Sequence, residues 1–215
     1  MAKIIGFSGS TVKSGVVEKA MEQVLKSTGH EWELVRLNTL NMKQCIGCVG
    51  CATTNRCVLK DDINEILDKI EEADAILVGG LARMGRLNSL TTMFFERLSP
   101  LFHRKMLTKG KLAASVAGGF MAQEAVKEDL SSLFQVFSME EVGSIKIDGN
   151  ASCFKCGYGE TCDYSAFRAK YGQDAKITDD VFYVFDKDEE AVEKATLLGK
   201  KIAEAISKKT AEATN

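Results

Sequence analysis

Short apolar runs alternate with amphipathic stretches along most of the chain. Lys3 to Phe7 is a compact apolar run, followed by a turn of small and polar residues from Ser8 to Gly15. Val16, Val17, Ala20, Met21, Val24 and Leu25 then recur at the i, i+3, i+4 spacing of one helix face. Trp32 to Leu37 alternates as a strand does. Asp61 or Asp62 caps a helix whose stripe is Ile63, Ile66, Leu67 and Ile70. Ala75–Val78 and Leu112–Ala117 are buried-type strands, each closed by a glycine pair, Gly79-Gly80 and Gly118-Gly119. Helices are expected from about Asn88 to Leu98, ending before Pro100, and from about Ala122 to Phe137. A fifth strand falls near Val142–Ile147, and a last helix carries Ala191, Val192, Ala195, Leu198, Ile202 and Ile206.

Strand–helix alternation of this kind predicts an α/β fold, a parallel sheet with helices on both faces. Two cysteine-bearing segments, at about 44–60 and 149–180, interrupt the rhythm. One domain over 1–215 with two insertions is the economical organisation.

Composition narrows the function. A formal charge of -2 lacks the basic excess that a duplex nucleic-acid binder uses to displace counterions. No apolar run approaches the ~20 residues that span a bilayer, so no membrane partner is expected. The first residues form no secretory signal. Seven cysteines without an export signal point to a reducing, cytoplasmic setting, and there to metal or redox chemistry before disulfides.

In an open parallel sheet, ligands bind beyond the carboxyl ends of the strands. The first such end, Ser8 to Gly15, offers Ser8, Ser10, Thr11, Lys13, Ser14 and Gly15 just before a helix N-terminus, where backbone N–H groups can hold a phosphate. No glycine is followed by Lys-Ser or Lys-Thr opening the helix, and the three spaced glycines of the dinucleotide fingerprint are missing. An unliganded Ser/Gly-rich turn is the plain alternative.

Cys45, Cys48, Cys51 and Cys57 have the spacing C-x2-C-x2-C-x5-C. Three thiolates this close wrap one face of a compact cluster, and the first three match the bacterial ferredoxin run. Structural zinc normally draws two separate ligand pairs. A [4Fe–4S] cluster is therefore the leading reading, with zinc and unligated thiols as the alternatives. Cys153, Cys156 and Cys162 form a second group of three sulfurs, open to a second metal site, a Cys153/Cys156 redox pair, or no role. His103, with Arg104 and Lys105, reads as a solvated basic turn.

With these residues in place the chain resembles the iron–sulfur flavoproteins of the NADPH-dependent FMN reductase group. The resemblance rests on Lys3 to Ser10, the compact cysteine run, Ala73 to Gly80 and Ala117 to Glu124, in that order. It implies a flavodoxin-like fold with five parallel strands in the order 2-1-3-4-5. It also implies FMN held by three loops: Ser8 to Gly15 on the phosphate, Gly80-Leu81-Ala82-Arg83-Met84-Gly85 flanking the ring, and Gly118-Gly119-Phe120 over its other edge. A ferredoxin or NAD(P)H donor, and assembly as a homodimer or homotetramer, come with the same resemblance. The chain departs from the family at Thr11-Val12 (usually Pro-Arg), at Val16-Val17 (usually Asn-Thr), and in a ring loop where Arg83 replaces aromatic residues. An iron–sulfur sensor or scaffold with a vestigial flavin site is the competing function. No side-chain acid or base stands out as catalytic.

Overall fold

Ile4, Ile5 and Phe7 are wholly buried because strand β1 (Lys3–Ser8) has strands on both edges and helices on both faces. The computed structural model describes residues 1–214. β1 pairs in parallel with β2 (Glu31–Arg36) and with β3 (Ala75–Arg83). A short β4 (Arg86–Leu87) folds back antiparallel on the end of β3. β5 (Leu112–Gly119) pairs with β3, and β6 (Glu140–Asp148) closes the far edge, giving the path β2-β1-β3-β5-β6. The five parallel strands, counted along the chain, thus follow 2-1-3-4-5; β4 is an addition the sequence pattern did not reveal.

Several boundaries shift. β3 runs through its glycine pair to Arg83, with parallel pairing continuing from Gly80–Ala117 to Leu81–Gly118, whereas β5 ends in its pair at Gly119. β2 ends one residue earlier than expected, and Leu37 turns into a short 3-10 helix.

Helix α1 (Val16–Ser27) covers one face together with the C-terminal helix, while α2 (Ile63–Glu72), α3 (Ser89–Arg97) and α4 (Gln123–Val136) cover the other. Two short helices, α5 (Cys153–Cys156) and α6 (Ala166–Tyr171), lie in the second cysteine-bearing segment, and α7 (Glu189–Thr214) ends the fold. The α1 stripe Val17, Ala20, Met21, Val24, Leu25 packs with Ala195, Leu198 and Ile202 of α7; Ile66, Ile70, Phe94, Phe95, Leu130 and Phe134 fill the opposite layer. Each fully buried Leu, Ile or Phe contributes about 1.5–3 kcal/mol. Among the described residues no helix is long and apolar enough to cross a membrane.

Close approach at the carboxyl end of the sheet depends on missing side chains. A Cβ on Gly9 would sit 1.9 Å from Thr91 Oγ1, and one on Gly118 would sit 2.4 Å from a Val17 methyl. Thr91 is wholly buried and bonded to Asn88, so it has no room to retreat. Gly9→Ala is expected to destabilise the fold by about 1–3 kcal/mol, as overpacking does. Urea denaturation checks this, and an unchanged midpoint would show that α3 shifts freely.

Candidate functional site

The register of β1 sets Ser8 between Arg36 and Gly79, so the turn after it opens at the sheet's carboxyl edge. Ser8 and Ser10 are buried and face inward: the Ser8 hydroxyl donates to Glu18 Oε1 (3.3 Å) and accepts the Ser10 N–H (3.3 Å), while Ser10 Oγ accepts the Val12 N–H (3.2 Å). These two serines shape the loop instead of presenting hydroxyls to solvent. Thr11, Lys13 and Ser14 are the exposed polar members. Gly15, at the N-cap, makes no side-chain cap, and the first-turn N–H groups of α1 have no preceding helical carbonyls to bond.

Pattern reading missed the organiser of this loop. Glu18 is 3% exposed and collects three donors: the Ser14 N–H (2.8 Å), the Ser8 hydroxyl and Arg36 Nε (2.7 Å). It holds Ser14 in the left-handed region (φ 53), where a non-glycine residue is uncommon.

The second loop is a hairpin. Ala82 pairs with Leu87 and Arg83 with Arg86, around Met84 (φ 49) and Gly85 (φ 76). Two successive positive φ values are those of a type I′ turn, the type whose twist suits a two-residue hairpin. Arg83, Met84 and Gly85 are exposed at its tip. Asn88, also missed, ties the loops together: it accepts the Leu81 N–H (3.1 Å), donates to the Gly9 carbonyl (3.1 Å), and receives the Thr91 hydroxyl (2.9 Å). The sequence signal was present only as a possible cap before α3. The third loop follows β5, where Gly118 and Gly119 are buried and Phe120 is half-buried.

The first cysteine segment is anchored from several sides. Cys45 and Cys48 are exposed; Cys51 and Cys57 are half-buried. Asn64 clasps Cys57, accepting its N–H (2.8 Å) and donating to its carbonyl (2.9 Å). The buried Asn55 amide donates to the carbonyls of Pro100 (2.6 Å), His103 (2.6 Å) and Lys105 (3.1 Å). The backbone is left-handed at Gly47 (φ 64), Val49 (φ 51) and Asn55 (φ 56), and a β-branched residue such as Val49 enters that region only when its surroundings impose it.

Two nitrogen groups meet the sulfurs. Arg97 Nη2 lies 3.2 Å from Cys57 Sγ, and His103 Nδ1 lies 2.9 Å from Cys51 Sγ. His103 is therefore no solvated turn residue; the Asn55 clasp on its carbonyl brings it against the cysteine loop. Burial pushes the Cys51 thiol above its ordinary value, and Cys57, Cys48 and Cys45 each add to that rise, as neighbouring like charges do.

The sequence profile of NADPH-dependent FMN reductases matches residues 2–151. The chain belongs to that family. An iron–sulfur flavoprotein of Methanocaldococcus jannaschii is 30% identical over 213 residues, 95% of this chain and 97% of its own length. Among solved structures, RosB with a bound 8-demethyl-8-formylriboflavin-5'-phosphate superposes with TM-score 0.67 at 12% identity, over 97% of this chain and 81% of RosB. A flavodoxin from the domain Archaea superposes with TM-score 0.54 at 14% identity, over 95% of this chain and 99% of its own. At such identities the structural matches establish the flavodoxin-like fold. As an FMN reductase family member related to iron–sulfur flavoproteins, the chain is a flavin-dependent oxidoreductase.

Within this family member, the residues fit both groups its relatives suggest. An uncapped helix start beside Thr11, Lys13 and Ser14 suits a phosphate. Four thiols on one loop, two of them met by nitrogen groups, suit a polynuclear thiolate cage. Among the described residues, no three His, Cys, Asp or Glu side chains are gathered closely enough to hold a metal ion.

The second cysteine group sits at a different place. Cys153 and Cys156 flank Phe154, whose ring meets Phe120 of the third loop at 5.6 Å in an edge-on contact. Lys170 reinforces this seat, lying 4.6 Å over the Phe120 ring and donating to the Phe120 carbonyl (3.3 Å). Burial pushes the Cys153 thiol up, but the N–H groups of Phe167 and Ala166 and the Ser165 hydroxyl outweigh it and bring the net value below the ordinary one. Cys156 and Cys162 are exposed.

Proposed function

We propose that this flavin-dependent oxidoreductase carries FMN and a [4Fe–4S] cluster and moves electrons between a low-potential donor, ferredoxin or NAD(P)H, and a small acceptor. The carrying observation is the cysteine loop: Cys45, Cys48, Cys51 and Cys57 on one segment anchored through Asn55 and Asn64, with Arg97 against Cys57 and His103 against Cys51. Thr11, Lys13, Ser14 and the N–H groups opening α1 hold the flavin's phosphate in this reading. The hairpin Gly80 to Gly85 and the Gly118–Phe120 loop bound its ring. Together the two groups let a two-electron event be divided into one-electron steps. The chain's own contribution is position and charge: Glu18 fixes the phosphate loop, Asn88 fixes the hairpin relative to it, and Arg97 places a cation at a cluster sulfur.

Iron, sulfide and flavin analysis of protein purified without oxygen tests this. About four iron and four sulfide per chain with one FMN is the expected result. Zinc without iron, or a colourless chain, overturns the redox assignment.

The hairpin tip favours a second reading. It presents Arg83 and Met84 and no aromatic ring to stack on an isoalloxazine. Iron and sulfide at full loading with no bound FMN would identify a cluster-bearing sensor or scaffold. Gel filtration of the same material tests assembly as a homodimer or homotetramer.

A further inference from the structure

Among the described residues Arg97 is the largest wholly buried side chain. Its Nη1 donates to Asp61 Oδ2 (2.6 Å) and its Nη2 to Asp61 Oδ1 (3.0 Å), a two-bond fork with side-chain exposures of 1% and 0%. Nη1 also donates to the Lys43 carbonyl, and Nη2 reaches Cys57 Sγ at 3.2 Å. Asp61 in turn accepts the N–H groups of Lys43 (2.9 Å) and Ile63 (3.3 Å). The pair therefore bolts both ends of the cysteine loop, at Lys43 and Cys57, to the end of α3. A core seeking only stability does as well with apolar residues in place of a buried ion pair.

The geometry points to Arg97 and Asp61 as positioning residues that set the reduction potential of the cluster through Cys57, an inference that rests on the cluster reading above. Adding an electron makes a cluster more negative, so a hydrogen-bond donor or cation at a ligand sulfur favours the reduced form. The guanidinium supplies both, and it does not deprotonate in a protein. Asp61 opposes it with a full negative charge one bond further out. The two residues thus act on the potential with opposite signs, which a purely structural pair does not do.

Potentiometric titration of anaerobically prepared holoprotein, followed by cluster absorbance and electron paramagnetic resonance, reads this directly. Arg97→Met alone leaves a buried carboxylate with no donor, whereas Asp61→Asn still offers the buried guanidinium an amide oxygen; that variant too loses a counter-ion, so circular dichroism melts accompany each titration. The test variants are therefore Asp61→Asn, which keeps the donor and deletes the opposing charge, and the double Arg97→Met/Asp61→Asn, which deletes both. Asp61→Asn is expected to raise the ratio of reduced to oxidised cluster at fixed potential about tenfold, or 59 mV positive for one electron. The double variant is expected to move the midpoint to the negative side of wild type. Midpoints that coincide with wild type at full iron loading would overturn the inference and leave the pair as a structural bolt. Wild-type protein without iron removes the cluster reading, and this inference with it.

Discussion

Cys48→Ala is expected to fold with wild-type stability and to lose most of its iron, falling from about four iron atoms per chain to less than one. The stability half of that expectation follows from the structure. Cys48 is exposed, and the bonds that fix its loop run through Asn55, Asn64 and Arg97. A surface change of this kind usually moves stability by less than about 0.5 kcal/mol. The iron half follows from valence: a four-iron cage held by three thiolates has one corner open to solvent and exchange. Cys156→Ala is the matched control, also exposed but in the helix whose Phe154 meets Phe120. It is expected to keep its iron. If instead both variants lose half of a wild-type load of about eight, the Cys153, Cys156 and Cys162 group holds a second cluster. Colorimetric iron and acid-labile sulfide assays on both variants, with circular dichroism melts, settle the outcome.

The parts of the molecule that were legible in the sequence are those in which local pattern and final environment agree. Val17 to Leu25 and Ile63 to Ile70 carry helical stripes, and these are the residues buried on α1 and α2. The cysteine run was legible because Cys45, Cys48, Cys51 and Cys57 sit on one short segment of the chain. What was missed is long-range and polar. Arg97 and Asp61 stand 36 positions apart; Asp61 reads as a candidate helix cap, and nothing local ties Arg97 to it. Glu18 reads as an ordinary first-turn acid, and only the path of β2 brings Arg36 to it. β4 has two residues, too few for any periodicity, and its turn uses Met84-Gly85 where Asn-Gly or Asp-Gly would have announced it. The extension of β3 past its glycine pair to Arg83 escaped notice for a related reason. Glycine weakens a strand by propensity, whereas here it lets Val17 lie within reach of the strand ends.

Glu18 is where the second large effect is expected. Its carboxylate serves the Ser14 N–H, the Ser8 hydroxyl and Arg36 at once, and it is almost wholly out of solvent. Glu18→Ala strips the acceptor from all three. Removing one partner of a buried ion pair costs about 3–5 kcal/mol. Arg36 keeps a side-chain exposure of 22% and recovers some hydration, which brings the expected loss to about 2–4 kcal/mol. In a chain of this size that lowers the melting temperature by roughly 4–16 °C. Glu18→Gln keeps one acceptor oxygen but leaves Arg36 without its counter-ion, and is expected to restore part of the stability. The two variants also separate two effects on FMN. Losing the clasp on Ser14 disorders the loop and weakens binding, whereas losing a negative charge beside a phosphate strengthens it. Loop order is expected to prevail, because the Glu18 charge is already paired with Arg36, whereas misplaced backbone N–H groups lose their bonds to the phosphate. FMN affinity should therefore fall at least tenfold in Glu18→Ala, while riboflavin, which has no phosphate, should bind the variant and wild type alike. Flavin fluorescence titrations with both ligands check this. FMN binding by Glu18→Gln that is tighter than wild type would show instead that the carboxylate acts mainly as a repulsive charge, and that the loop is shaped without it.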